Sequence, residues 1–70
     1  MLPQQDRPIR ILMIDDHAVL RAGLRMIIES RMGMLVVGEA ENRRESLAAI
    51  ANEIPDIILL DLDLGDENRH

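Results

Sequence analysis

Two short apolar runs, each broken off by a pair of acids, dominate this chain: ILMIDDH at residues 11–17 and IILLDLD at residues 57–63. Neither run alternates apolar with polar residues. A strand with one wet face would alternate, so these read as strands covered on both faces, the pattern of a parallel sheet sandwiched between helices. The acids Asp15, Asp16, Asp61 and Asp63 then fall at the carboxyl ends of two parallel strands. In an open α/β sheet that edge is where ligands bind, at the point where strand order reverses. Carboxylates gathered in one place repel one another unless a cation or a proton intervenes, and an oxygen ligand set suits a hard divalent ion such as Mg²⁺. A metal site is the leading functional expectation. The plainer alternative has Asp15 and Asp16 capping a helix while Asp61 and Asp63 open a solvated loop.

The rest of the chain supplies the remaining layers. Residues 1–8 read as a flexible lead-in and residues 9–14 as the first strand. Asp16 is placed to cap a helix whose buried stripe is Leu20, Leu24, Ile27 and Ile28, with Arg21, Arg25 and Glu29 on the wetter side and Gly33 as the stop. Residues 34–37 give a second strand, and Gly38 lets the chain turn. Asn42 with Glu45 three residues on resembles a capping box, and Leu47, Ala48, Ile50 and Ala51 are the expected buried stripe of the second helix. Pro55 forces Ile54 out of helical geometry, and residues 57–60 form the third strand. Right-handed crossovers on either side of the first strand place it in the middle, order 2-1-3, and bring the two acidic groups together.

Composition narrows the function classes. Seventy residues make one small domain at most, and such a chain buries only about 60% of the surface it exposes when unfolded. With no Phe, Tyr or Trp, the core falls to Ile, Leu, Val, Ala and Met, and Met26, Met32 and Met34 are expected to fill gaps. The absence of cysteine excludes disulfides and thiolate metal sites. No run approaches the roughly 18 apolar residues of a membrane span, and the first residues lack the apolar stretch of a signal peptide, so a cytoplasmic protein is expected. A net charge of −5 argues against direct binding of nucleic acid.

The strings IRILMIDDHAVLRAGLR, VVGEAENRRESL and PDIILLDLDLGDEN together resemble the receiver domain of bacterial response regulators. They are most similar to the NarL-like subfamily, whose members join a receiver to a helix-turn-helix DNA-binding domain. The resemblance runs from about residue 9 to residue 68 and covers the first three βα units of that flavodoxin-like fold, so residues 9–70 are read as a partial receiver. It implies that Asp61 accepts a phosphoryl group from the histidine of a sensor kinase. It implies also that Asp15 and Asp16 hold Mg²⁺, Asp16 as the direct ligand, and that Asp63 gives its backbone carbonyl to the metal. His17 is typical of the subfamily and is read as a helix-start residue. Arg43 and Arg44 are read as a solvated helix face rather than phosphate binders.

The sequence departs from the family in several places. The family's Ser or Thr ending strand four and its Lys ending strand five have no counterpart, and the chain has neither Lys nor Thr. Gly65 stands where the family usually has Pro, and Arg44 where it often has Gly. With only three strands, the third becomes an apolar edge that invites self-association as a homodimer or swapped oligomer. DNA contact would belong to an output domain absent from these residues. Two other readings compete. One is a truncated receiver that serves only as a dimerisation or interaction module. The other is a haloacid-dehalogenase-type phosphatase, because DLDLG at residues 61–65 resembles that family's nucleophile motif.

Overall fold

A computed structural model describes residues 7–61; Asp63, Gly65 and most of the lead-in therefore lie outside the described residues. Five elements follow in order: β1 (Ile9–Ile14), α1 (Ala18–Glu29), β2 (Met34–Ala40), α2 (Arg43–Glu53) and β3 (Ile57–Leu60). All strand pairs are parallel and the sheet order is β2-β1-β3, as the crossover argument requires.

The lack of alternation in β1 has a direct cause. Ile11 and Met13 pack on one face of the sheet with Ile28, Val36, Leu24 and Met34, beneath α1. Leu12 and Ile14 pack on the other with Ala40, Ala49 and Ile50, beneath α2. Both parities of β1 are thus core, and all four of these residues are buried.

β2 is longer than expected. Gly38 does not turn the chain; it lies inside the strand, which continues to Ala40. Ile11 pairs with Val36 and Leu12 with Gly38, so Val37 is an extra residue at a bulge. In a regular strand Val36 and Ala40 would share a face, whereas the bulge sends them to opposite cores. A side chain at position 38 would bring its Cβ to 3.1 Å from Leu12 Cδ1, so glycine is what allows Leu12 its place.

The helices differ from the expected pattern in informative ways. His17, not Asp16, occupies the N-cap position of α1, and no side chain caps that helix. α1 leans toward β2, which buries Ile28 and half-buries Leu24 but leaves Leu20 and Ile27 exposed. Met26 and Met32 are exposed rather than gap-filling, and only Met34 packs against the core. On α2 the sheet-facing set is Ser46, Ala49 and Ile50, while Leu47, Ala48 and Ala51 are exposed. Small residues on both sides, Ser46 and Ala49 against Gly38 and Ala40, let this helix sit close to the sheet, and the Ser46 hydroxyl is satisfied by donating to the Asn42 carbonyl at 2.7 Å.

The expected cap at Asn42 is present: its Oδ1 accepts from the Glu45 N–H at 2.9 Å. Glu45 reaches back one residue further than a standard capping box, to the Glu41 N–H at 2.9 Å. α2 ends at Ile54, whose φ of 48° is left-handed, immediately before Pro55. Arg10 then ties the helix end to β1, donating to the Glu53 carbonyl at 2.6 Å. β3 forms over the expected residues and is the exposed edge, with Ile57 and Ile58 at 43%, Leu59 at 40% and Leu60 at 57% exposure.

Candidate metal centre

Backbone pairing carries the sheet one residue past both acidic strand ends. The Asp15 N–H donates to the Ala40 carbonyl and the Asp61 N–H to the Ile14 carbonyl, each at 2.9 Å. Strand geometry therefore fixes both acids at the same edge, on adjacent strands. Asp15, Asp16, His17 and Asp61 each offer a ligand atom, and these atoms lie within 4.8 Å of one another. Asp63 falls outside the described residues.

Asp15 is buried and still carries the charge of a carboxylate. Burial pushes its pKa up, but the backbone N–H and the ring of His17, with smaller help from Asp61, hold it below the ordinary carboxylate value. The contacts are short: His17 N–H to Asp15 Oδ1 at 2.7 Å and Nδ1 to the same oxygen at 2.9 Å. The His17 ring lies also 2.9 Å from Asp16 Oδ1 and 3.5 Å from Asp61 Oδ2. Its hydrogen bond to Asp15 and the charge of Asp16 raise its pKa above the ordinary imidazole value. His17 does start the helix, as the sequence suggests, yet its ring is the cationic partner of the acid cluster.

Arg21 is a site residue that the sequence reading assigned to the wet face of α1. Its side chain is only 12% exposed. Nη1 donates to the Asp15 carbonyl at 2.6 Å while Nε donates to Glu39 at 2.8 Å. Arg25 reaches the other oxygen of Glu39 at 2.7 Å, so α1 is clamped to the end of β2 behind the acids. The spacing of Arg21 one helical turn beyond His17 was a usable signal; nothing in the sequence pointed to Glu39. Arg43 and Arg44 are exposed, in keeping with a solvated face.

The donor set fits a hard divalent cation. Three carboxylates converge, one is buried and ionised, and two strands supply further backbone oxygen at the same edge. Beside them a groove of about 320 Å³ opens between α1 and β3, lined by Leu20, Leu24, Leu59 and Leu60 with Asp15 and Asp61 at its polar end.

Comparison with known proteins agrees with this geometry. The family model of the response regulator receiver domain matches residues 11–68. The nitrate/nitrite response regulator protein NarL of Escherichia coli K12 is 41% identical over 61 residues, which are 87% of this chain and 28% of that protein. The transcriptional regulatory protein YdfI of Bacillus subtilis is 44% identical over 54 residues, 76% of this chain and 25% of that protein. LiaR of the same organism is 41% identical over 54 residues, 77% of this chain and 26% of that protein. The chain thus spans about a quarter of the length of these relatives. No solved structure matches it. The acids at the β1 and β3 ends, the 2-1-3 parallel sheet and these matches place the chain in the response regulator receiver family, with NarL-like relatives.

Proposed function

We propose that this chain is the phosphoacceptor part of a two-component response regulator, with Asp61 receiving a phosphoryl group from the phosphohistidine of a sensor histidine kinase. The observation that carries the reading is the meeting of Asp61 with Asp15 and Asp16 at one sheet edge. A carboxylate attacking phosphorus must approach a group already rich in negative oxygen. Mg²⁺ bound by Asp15, Asp16, Asp61 and the Asp63 backbone carbonyl would neutralise that charge. Asp61 Oδ forms the new O–P bond as the P–N bond of phosphohistidine breaks, and the imidazole leaves with the electron pair and takes up a proton. Asp15, anchored by Arg21 through its carbonyl and by strand pairing through its N–H, keeps the ligand set in place while this happens. The chain at most promotes its own phosphorylation and turns over no substrate.

In this reading residues 9–70 belong to the receiver and residues 1–8 precede it. Control of transcription belongs to an output domain outside these residues, in line with the net charge of −5, which gives the chain no basic surface for DNA. A second role is favoured by the exposure of β3: its four apolar residues and open backbone edge suit pairing with another copy as a homodimer or swapped oligomer. A receiver that has lost phosphotransfer would retain this interaction alone.

Incubation with a small phosphodonor and Mg²⁺, followed by intact mass measurement, tests the proposal. An acid-stable, base-labile phosphoryl adduct is expected, absent from Asp61→Asn and from samples treated with chelator. An adduct that persists in Asp61→Asn would refute it. Turnover of a phosphate ester that survives loss of Asp15 would point to phosphatase chemistry instead.

A further inference from the structure

The acid cluster contains one group that a Mg²⁺ site does not call for. Mg²⁺ takes oxygen ligands and keeps several waters, so an imidazole among its carboxylates adds nothing to its binding. Yet His17 points its Nδ1 between the acids, 2.9 Å from Asp15 Oδ1, 2.9 Å from Asp16 Oδ1 and 3.5 Å from Asp61 Oδ2. Two donor atoms each about 2.1 Å from one metal ion lie about 3.0 Å apart at a right angle and about 3.4 Å apart at the tetrahedral angle. The three separations match those values. His17 therefore stands where a ligand stands relative to Asp15, Asp16 and Asp61.

We infer that His17 is a nitrogen ligand of the same site, so that the centre formed by Asp15, Asp16, His17 and Asp61 takes borderline divalent ions such as Zn²⁺ or Ni²⁺ in addition to Mg²⁺, and binds them more tightly. The inference rests on the metal reading of the acids given above. The mixed nitrogen and oxygen set follows the ordinary preference of imidazole for Zn²⁺, Ni²⁺ and Cu²⁺, while carboxylates serve Mg²⁺ and Mn²⁺ equally well. The backbone supports the role. His17 occupies the N-cap position, its N–H is fixed on Asp15 Oδ1, and the first turn of α1 begins on its carbonyl through the Arg21 N–H at 3.0 Å. A ring attached to so constrained a backbone is held close to the acids at small entropic cost. The site is consequently one in which the identity of the bound ion depends on the imidazole.

Calorimetric titration of the full chain with Zn²⁺, Ni²⁺ and Mg²⁺, for the wild type, His17→Gln and Asp61→Asn, tests this in a His70→Gln background that removes the other imidazole. His17→Gln is expected to weaken Zn²⁺ and Ni²⁺ about tenfold or more without weakening Mg²⁺, and Asp61→Asn to weaken all three. As a measurement that needs no variant at position 17, a long-range ¹H–¹⁵N spectrum should show the His17 Nδ1 signal move on addition of Zn²⁺ and stay in place with Mg²⁺. Unchanged Zn²⁺ and Ni²⁺ affinity in His17→Gln, or an unmoved Nδ1 signal with Mg²⁺ still bound, would overturn the nitrogen ligand and leave the acid site standing. Binding of none of the three ions, or binding indifferent to Asp61→Asn, would overturn both.

Discussion

Leu12 and Ile58 are register partners on adjacent strands, but one is enclosed and the other is open to water, so their truncations should differ sharply. Leu12 is fully buried at 0% exposure. Its neighbours are Ala40, Ala49 and Gly38, which are too small to move into the space a shorter side chain would leave. Leu12→Ala should therefore fall in the upper part of the usual range, about 3–4 kcal/mol. Ile58 is 43% exposed at the sheet edge, so Ile58→Ala forfeits roughly half a side-chain burial and encloses no cavity, about 1 kcal/mol. The whole chain is expected to have about 4–10 kcal/mol of stability, so the first change removes a large share of it. Urea unfolding followed by far-UV circular dichroism measures both, since a chain without Phe, Tyr or Trp offers no intrinsic fluorescence. Equal costs for the two variants at low protein concentration would refute the placement of β1 at the centre and β3 at the edge. A cost at Ile58, but not at Leu12, that grows with protein concentration is the signature of a second copy covering β3.

Other consequences follow from single features. Ile54→Gly should stabilise the chain by up to about 1 kcal/mol, because a β-branched residue held at φ 48° gives way to one without that strain, and an unchanged melting temperature would count against the left-handed helix end. Asn42→Ala should cost about 1 kcal/mol through loss of the bond to the Glu45 N–H, while Asn42→Asp keeps it; equal stability of both variants in the same urea assay would remove the cap. Without metal, stability against pH should show two flanks. The raised pKa of His17 contributes stability that is complete below the ordinary imidazole value and is lost as pH rises through the folded value. The lowered pKa of Asp15 contributes stability present above the ordinary carboxylate value and lost as pH falls through the folded one. Urea midpoints across this range should fall on both flanks, and Asp15→Asn should flatten both; a variant that retains the alkaline flank would detach His17 from Asp15.

The fold was legible because its decisive residues are unambiguous. The runs at residues 9–14 and 57–60 could only be strands buried on both faces, and the acids that end them marked the functional edge. Asn42 and Gly33 announced a helix start and a helix stop, and both hold, Gly33 with φ 92°. What was not legible depended on distance and space. The bulge at Val37 hides in an unremarkable VVG string, because only the need to serve two cores with Val36 and Ala40 reveals it. The buried face of α2 is one residue away from the most apolar one, since close approach to Gly38 and Ala40 favours Ser46 and Ala49 over Leu47. In the site, Arg21 and Glu39 lie 18 residues apart and act together only through the packing of α1 on β2. Periodicity says nothing of such a pair, nor of the direction in which the His17 ring turns.

The central claim is that the ends of β1 and β3 share one cation. It is tested most directly by adding substoichiometric Mn²⁺ to the ¹⁵N-labelled chain and recording which amide signals its paramagnetism broadens. The account predicts broadening at Asp15, Asp16, His17 and Asp61 together, reversed by excess Mg²⁺ and lost in Asp61→Asn. Broadening at one strand end alone, or centred on Glu39 and Glu41, would contradict it.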